Sequence, residues 1–313
     1  MEKLLAETID AAKRAGVIKA ASIKHVIVDT TVMEKAIAHP TDSRLLERCR
    51  EHLVAAAQHG LKLRQNYNRE APRLGRQIGR YVHAKQYKRM RRALRTLRSR
   101  VGRVMRDVER QLGSVATQRR AGLEELIGRA KRILSQKPKD KHKLYALHAP
   151  EVECLAKGKA RKPYEFGVKV SITTTHKEGL VLGARSMSGN RYDGHTLAEA
   201  LEQAEILSGA RPQIAVVDRG YRGVEVEGVK IYHPGLRRGI TRGVRAIEPA
   251  IGHMKADGKL DRNWLKGALG DAMHAVLCGA GHNLRMIVRK LRLLYFLVLV
   301  ALLKRCGSAM VMA

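Results

Sequence analysis

The hydrophobic residues of this chain keep one period for about a hundred residues and then switch to another. From Arg44 to about Ser135 they recur at three- and four-residue steps, and Tyr87, Met90, Leu94, Leu97, Val101, Val104 and Val108 form a heptad seam. Such spacing lines up one face of a helix and serves either the interior of a bundle or a dimer. Leu123, Leu126, Ile127, Ala130 and Ile133 mark a further helix that closes a small antiparallel bundle. After the charged break Lys137 to Lys143, which contains Pro138, the period changes. Tyr164, Phe166, Val168, Val170 and Ile172 alternate strictly, as a half-buried strand does. No single layer satisfies both periods, so the chain must hold a helical body and a sheet.

The remaining punctuation orders the elements. Residues 23–29, Ile-Lys-His-Val-Ile-Val-Asp, are a short β-branched run ending in a carboxylate, and Pro40 to Ser43 supply a turn and a helix cap. Gly179 turns the strand at 164–172 back into Leu180 to Ala184 as a hairpin. Thr196-Leu197-Ala198-Glu199 reads as a capping box opening a helix that Gly209 closes. Ile214 to Val217 is a second apolar run ending in Asp218, and a short strand follows at 229–232. Helices begin near Ile247-Glu248-Pro249 and at about Ala268. This order predicts an α/β fold, a mixed sheet flanked by helices, with a large all-helical insertion after the first strand. The predicted boundaries are 1–43 for the N-terminal helix and first strand, 44–145 for the basic insertion, 146–267 for the rest of the core and 268–313 for a C-terminal helical segment.

Charge narrows the function. The 313 residues include 61 Lys or Arg and 29 Asp or Glu, a formal charge of +32. Self-repulsion on that scale destabilises a compact state unless a polyanion neutralises it, which argues against an ordinary metabolic enzyme and points to nucleic acid. With aromatics at only 4%, base stacking on an RNA-recognition sheet is disfavoured. The apolar run Leu293 to Leu303 is 11 residues long, whereas a spanning helix needs about 20, so a buried or partner-facing helix is expected and no membrane. Met1 to Gly16 is an amphipathic charged helix without the apolar centre of a secretory signal. Cys49, Cys154, Cys278 and Cys306 lack paired spacing, which gives neither a zinc site nor a disulfide framework and fits the cytoplasm.

Two apolar strands that finish at Asp29 and Asp218 put two carboxylates at one sheet edge if the strands are parallel neighbours. An Asp after a buried strand is most often a cap or turn residue. Two together in so basic a chain suggest a divalent cation between them. Glu248, beside Pro249 at a helix start, offers a third oxygen ligand. Three carboxylates without competing His or Cys select Mg²⁺ or Mn²⁺, and two such ions carry phosphodiester chemistry.

Five blocks carry a resemblance. Asp29-Thr30-Thr31-Val32 with Ala38 to Ser43, Leu147 to Cys154, Gly189-Asn190 with Tyr192 to Leu197, Val217 to Gly223 and Ile247 to Lys255 resemble the DDE transposases of bacterial insertion sequences, in particular the insertion sequence five family. The resemblance runs from about residue 4 to residue 290. It implies an RNase H-like fold and cut-and-paste transposition, with metal-dependent DNA strand cleavage followed by strand transfer. By position it implies a catalytic and metal-binding triad of Asp29, Asp218 and Glu248 holding two Mg²⁺ or Mn²⁺ ions. The implied partner is double-stranded DNA, both the inverted-repeat ends of the element and the target, bound by a homodimer in a synaptic complex at the bacterial nucleoid. Lys255 matches the family's basic residue two turns past the Glu on the same helix face, and Tyr221 and Arg222 are expected on the scissile strand.

The pattern departs in two places. Thr241 and Val244 stand where the family has Tyr and Arg, with Arg245, kept here as a DNA contact, one place late. Family members also carry a helical DNA-binding domain before the first strand, whereas Asp29 lies close to Met1. The alternative expectation is therefore a truncated, inactive DNA-binding remnant. Residues 71–120 hold 16 Lys or Arg against 2 acids, and Arg91, Arg95 and Arg98 are expected to contact the DNA backbone without reading sequence. Trp264, the single Trp, is expected in the core rather than stacked on a flipped base.

Overall fold

The two hydrophobic periods build two separate cores. The computed structural model describes residues 2–58, 60–156, 162–234 and 247–310. It divides into two compact units, residues 1–36 with 155–313, and residues 37–154.

The helical unit consists of α1′s successors in the chain, α2 (Asp42–Ala57), α3 (Glu70–His83), α4 (Tyr87–Arg110) and α5 (Thr117–Ser135), where α1 (Glu2–Arg14) belongs to the other unit. The cap of α2 is Thr41, whose Oγ1 accepts the Arg44 N–H at 3.4 Å. The heptad seam turns inward. Leu97, Val101, Val104 and Val108 are fully buried in one cluster with Leu46, Cys49 and Leu53 of α2 and Ile127 and Ala130 of α5. Only the start of the seam, Tyr87, is exposed. Four buried seam positions leave no continuous apolar stripe for a second chain.

The other unit holds a six-stranded mixed sheet: β1 (His25–Glu34), β2 (Glu153–Ala156), β3 (Tyr164–Thr175), β4 (Val181–Met187), β5 (Ile214–Val216) and β6 (Lys230–Tyr232). The order is β2-β3-β1-β5-β6, with β4 also paired to β3. β3 runs antiparallel to β1 and β4, while β1, β5 and β6 are mutually parallel. Helix α1 touches both α6 (Leu197–Ser208) and α8 (Gly267–Met310), and all three pack on β4. Between α6 and α8 in the chain lies α7 (Glu248–Ala256).

Several expectations change. β1 does not end at Asp29. Thr30 to Met33 are β-branched or apolar and pair residue by residue with β3 as far as Glu34 opposite Gly167. At Gly167 a Cβ would stand 2.1 Å from the Met33 carbonyl oxygen, so only glycine permits that approach. β3 is buried on both faces from Val168 to Thr175, because it lies inside the sheet between β1 and β4. The short strand β2 carried no period long enough to announce it. Thr196 forms no capping box: its Oγ1 donates to the Asp193 carbonyl at 2.7 Å, closing the preceding 3₁₀ turn. Gly209 does end α6, in the left-handed conformation at φ 68°. Along α8, Leu293 to Leu299 are 40–71% exposed, so of the two expectations for this apolar run, buried or partner-facing, the buried one does not hold. Among the described residues no helix is long and apolar enough to cross a membrane.

Buried polar groups fasten the helices to the sheet. Asn283 of α8 accepts the Val181 N–H at 2.9 Å, donates to the Val181 carbonyl at 2.8 Å and donates to Thr8 Oγ1 of α1 at 3.1 Å. One amide thus joins three elements at the start of β4, beside the register shift that pairs Thr173 with Gly183 and Thr174 with Val181. Nearby, burial drives the His282 imidazole down to about 4, assisted by Arg285, His253 and Arg289, while its Nε2 contact to the Gly179 carbonyl at 3.2 Å opposes the shift.

Asn283→Ala leaves the Val181 N–H and carbonyl unpaired, and urea denaturation should show a loss of about 3 kcal/mol. A loss below about 1 kcal/mol would mean that water replaces the amide. His282 is neutral in the folded protein and binds its proton more readily when unfolded. Stability is therefore retained above about pH 6.5 and falls as pH drops toward 4, by about 2 kcal/mol at pH 5. His282→Gln should flatten that slope in thermal midpoints recorded from pH 7 to 5.

Candidate active site

The parallel register of β1 with β5 sets the geometry. His25 lies beside Ile214, Val26 beside Ala215 and Ile27 beside Val216. Two residues further, the same register brings Asp29 level with Asp218, both on the face of Ile27 and Val216 because strand side chains alternate. Both aspartates are partly exposed. Asp29 is thus not a strand terminus but the point where β1 outruns its parallel neighbour. The Asp218 backbone stays extended, and beyond it the chain enters a 3₁₀ turn at Arg219–Tyr221.

Backbone amides orient both carboxylates. Asp29 Oδ1 accepts the Thr30 N–H at 2.7 Å, and Asp218 Oδ1 accepts the Gly220 N–H at 2.8 Å. A Cβ at Gly220 would stand 2.9 Å from Asp218 Oδ1, so a side chain there would push that carboxylate aside, while Asp193 Oδ2 at 3.5 Å is in ordinary contact. Tyr221 is not at the surface where a scissile strand would pass; its ring is 1% exposed and belongs to the core. Burial first, and then the charges of Asp29, Asp193 and Asp218, push its phenol far above the ordinary range, so it stays protonated beside the three acids.

Two further residues, Asp193 and Lys169, belong to this cluster without any sequence spacing that points to them. Asp193 Oδ1 accepts from Thr30 Oγ1 at 3.0 Å and from Lys169 Nζ at 2.7 Å, and Lys169 also donates to the Arg191 carbonyl at 2.6 Å. Lys169 is 8% exposed. Thr30 directly follows Asp29, so the Lys169–Asp193–Thr30 chain braces β1 next to that aspartate. Asp193 was visible within the block Tyr192 to Leu197 but not as a partner of β1. Lys169 looked like one polar position of an alternating strand.

Glu248 is the first residue of α7 and is exposed, with Pro249 in the first turn and Ile247 buried beneath. Lys255 follows two turns later and is half-buried. Arg222 is exposed just past the 3₁₀ turn, and Arg245 lies outside the described residues. In the helical unit Arg91 and Arg95 are exposed and Arg98 is half-buried. Trp264 is 57% exposed rather than in the core, with the Arg262 guanidinium 5.6 Å from its ring centre.

Among the described residues no three His, Cys, Asp or Glu side chains gather as a metal site. Asp29 and Asp218 come together, and Glu248 does not join them in one cluster. The donor chemistry of the pair nevertheless suits a hard cation. Mg²⁺ keeps several waters and is commonly held by one or two carboxylates plus substrate phosphate, which matches two adjacent aspartates at a sheet edge.

Residues 149–229 match the transposase DDE domain. That segment runs from before β2 to the edge of β6 and contains Lys169, Asp193 and Asp218, while Asp29 and Glu248 lie outside it. The chain is also similar to a protein of Rhizobium meliloti described as uncharacterized protein ORF8 in nfe locus, with 47% identity over 88 residues. The similarity covers 28% of this chain and 42% of the relative. No solved structure matches. The domain match supports a DDE transposase, and a six-stranded mixed sheet flanked by helices fits an RNase H-like one.

Lys169→Met removes the cation from Asp193 and the donor from Arg191. It should cost about 2 kcal/mol in chemical denaturation, less than the 3–5 kcal/mol of a fully buried pair because Asp193 keeps some solvent. A variant as stable as the parent would show that Lys169 does not brace the site.

Proposed function

We propose that this protein is a DDE-type transposase that cleaves DNA strands at the ends of an insertion sequence and joins the freed 3′ ends to target DNA in a cut-and-paste reaction. The observation that carries this reading is the β1–β5 register that sets Asp29 level with Asp218. Asp29, Asp218 and Glu248 would hold two Mg²⁺ or Mn²⁺ ions. When bound, such ions activate an attacking oxygen and stabilise the leaving oxygen of the phosphodiester. The chain's own contribution is to hold two carboxylates in fixed orientation through the Thr30 and Gly220 amides. Arg222 and Lys255 are assigned to substrate phosphate, and Arg245 to the same strand. The reading includes a homodimer that pairs two DNA ends at the nucleoid in the cytoplasm, with residues 44–145 as a basic helical insertion into the catalytic core.

One observation favours a second reading. Among the described residues Glu248 is not clustered with the aspartates, as in a DNA-binding remnant without catalysis. Single-turnover cleavage of a labelled duplex carrying the element's ends in Mg²⁺ or Mn²⁺ separates the two. Asp29→Asn and Asp218→Asn should each lower cleavage at least about a thousandfold with DNA affinity unchanged. Asn keeps the oxygen that accepts the local amide, so loss of activity without loss of fold isolates the charge. Parent protein that binds DNA and cuts nothing would establish the remnant, and an active Asp→Asn variant would remove that aspartate from the site.

A further inference from the structure

The sequence presents the arginines of α4 as one continuous stripe, but the structure divides them. Arg91 and Arg95 lie exposed on the first half of the helix, whereas Arg103, Arg106 and Arg110, exposed at steps of three and four, form one wall of a cleft. The loop at 61–70 forms the other wall, contributing Arg64 and Tyr67, and the cleft measures about 380 Å³.

This cleft is held open by specific bonds. Asp107, 6% exposed, lies at its floor and accepts the Arg64 N–H at 2.8 Å and an Arg110 Nη2–H at 2.9 Å. Those bonds, the Arg64 amide foremost, keep its carboxyl below the usual range. One turn on, Gln111 grips the loop from both sides: its Oε1 accepts the Lys62 N–H at 3.1 Å and its Nε2 donates to the Lys62 carbonyl at 3.2 Å. Tyr67 sits in the left-handed region at φ 55°, with Arg100 over its ring at 5.0 Å and Arg103 donating to its hydroxyl at 3.4 Å. A non-glycine residue at positive φ costs of order 1 kcal/mol and persists only where its surroundings fix it.

The charge is unbalanced. Asp107 is the single acid lining the cleft against four arginines. Among the described residues Arg64, Arg103 and Arg106 make no ion pair, although other basic residues of the same unit do: Arg100 with Glu70, Arg120 with Glu124 and Lys131 with Glu109. Three guanidinium groups without an ion pair thus line a concave, polar space, with Glu70 acting on Arg103 and Asp107 on Arg64 only at longer range. Planar guanidinium forks match phosphate oxygens two at a time. From Arg103 to Arg110 the helix rises about 10 Å, the reach of roughly two to three successive phosphates on one strand.

We propose that this cleft in the helical unit is a binding site for the phosphate backbone of duplex DNA, with Arg64, Arg103 and Arg106 as its phosphate ligands and Asp107 and Gln111 as the residues that shape it. A single strand's backbone occupies the cleft, so contacts fall on phosphate and carry no sequence preference. The proposal goes beyond the catalytic reading and does not need it.

The test uses the full chain with EDTA present, so that only binding is read. Fluorescence anisotropy with a mixed-sequence duplex of about 30 base pairs is recorded over a series of NaCl concentrations. The double variant Arg103→Gln/Arg106→Gln should bind about tenfold or more weakly at 0.1 M salt, and its slope of log affinity against log salt should fall by about 1.8. Both residues are exposed, and an unchanged thermal midpoint verifies the fold. Arg91→Gln/Arg95→Gln serves as the comparison on the other half of the same helix and should lose less. Affinity and slope within error of the parent in Arg103→Gln/Arg106→Gln would overturn the proposal, as would a loss equal to that of the comparison pair, which would mean diffuse attraction alone. Inorganic phosphate at constant ionic strength is the last arm. If it raises the parent's thermal midpoint but not the double variant's while DNA affinity is the same for both, the cleft takes a free anion and the DNA assignment fails. DNA cleavage by the double variant at saturating protein, or its absence, bears on the catalytic reading and not on this one.

Discussion

The parallel pairing of β1 with β5 is the constraint on which the chemistry depends. A slip of one residue would turn Asp29 to the other face and leave Asp218 alone at the edge. That register is fixed from both sides of β1. On one flank nine residue pairs tie it to β3, from Val26 opposite Thr175 to Glu34 opposite Gly167. On the other, three pairs tie it to β5. The longer pairing determines position and the shorter delivers the aspartate. Gly167 is part of that determination, since any side chain there would collide with the Met33 carbonyl and disrupt the last pairs.

Further along, the same strand is anchored by a second buried group. Lys35 Nζ pairs with Asp271 of α8, and Asn263 Nδ2 donates to the same carboxylate at 2.6 Å. Asn263 also donates its N–H to the Glu34 carbonyl at 2.7 Å and accepts the Ala36 N–H at 2.8 Å. The far end of β1 is therefore joined to the start of the longest helix through polar groups with relative exposures of 8% or less. Buried polar networks of this kind favour one arrangement over its neighbours when their members are satisfied together. Here they leave β1 little freedom to slide.

Much of this was legible in the sequence, for identifiable reasons. Helix α4 was readable because its seam holds for seven positions, and the β3–β4 hairpin because alternation and Gly179 agree. Asp29 and Asp218 were readable as a pair because both follow apolar runs. The end of β1 is hidden because the strand is buried on both faces beyond Asp29, so residues 30–34 carry no alternation, and only pairing with β3 reveals them as strand. Trp264 is expected in the core rather than stacked on a base, but it lies 57% exposed with the Arg262 guanidinium over one side of its ring. Lys169 and Asp193 are separated by 24 residues, and no local period links them. Likewise the cleft beside Tyr67 depends on a loop held to a helix by Asp107 across 43 residues. Interactions that close through tertiary contact leave no trace in spacing.

Two carboxylates side by side work against folding, since bringing like charges together from solvent costs free energy that the unfolded chain does not incur. A sequence with 61 basic residues provides the offset, though not uniformly. Residues 37–154 carry 29 Lys or Arg against 11 Asp or Glu, so nearly half of the positive charge sits in little more than a third of the chain. Around Asp29 and Asp218 the compensation is specific instead: two backbone amides on the aspartates themselves and one buried lysine held on Asp193. Nonspecific positive charge would be screened beyond about 10 Å at 0.1 M salt, whereas hydrogen bonds to fixed amides are not. The fold thus spends its oriented donors where two acids must stand together and leaves its surplus arginines facing outward, and that distribution is what a protein requires if it attracts a polyanion with one set of residues and places divalent ions against it with another.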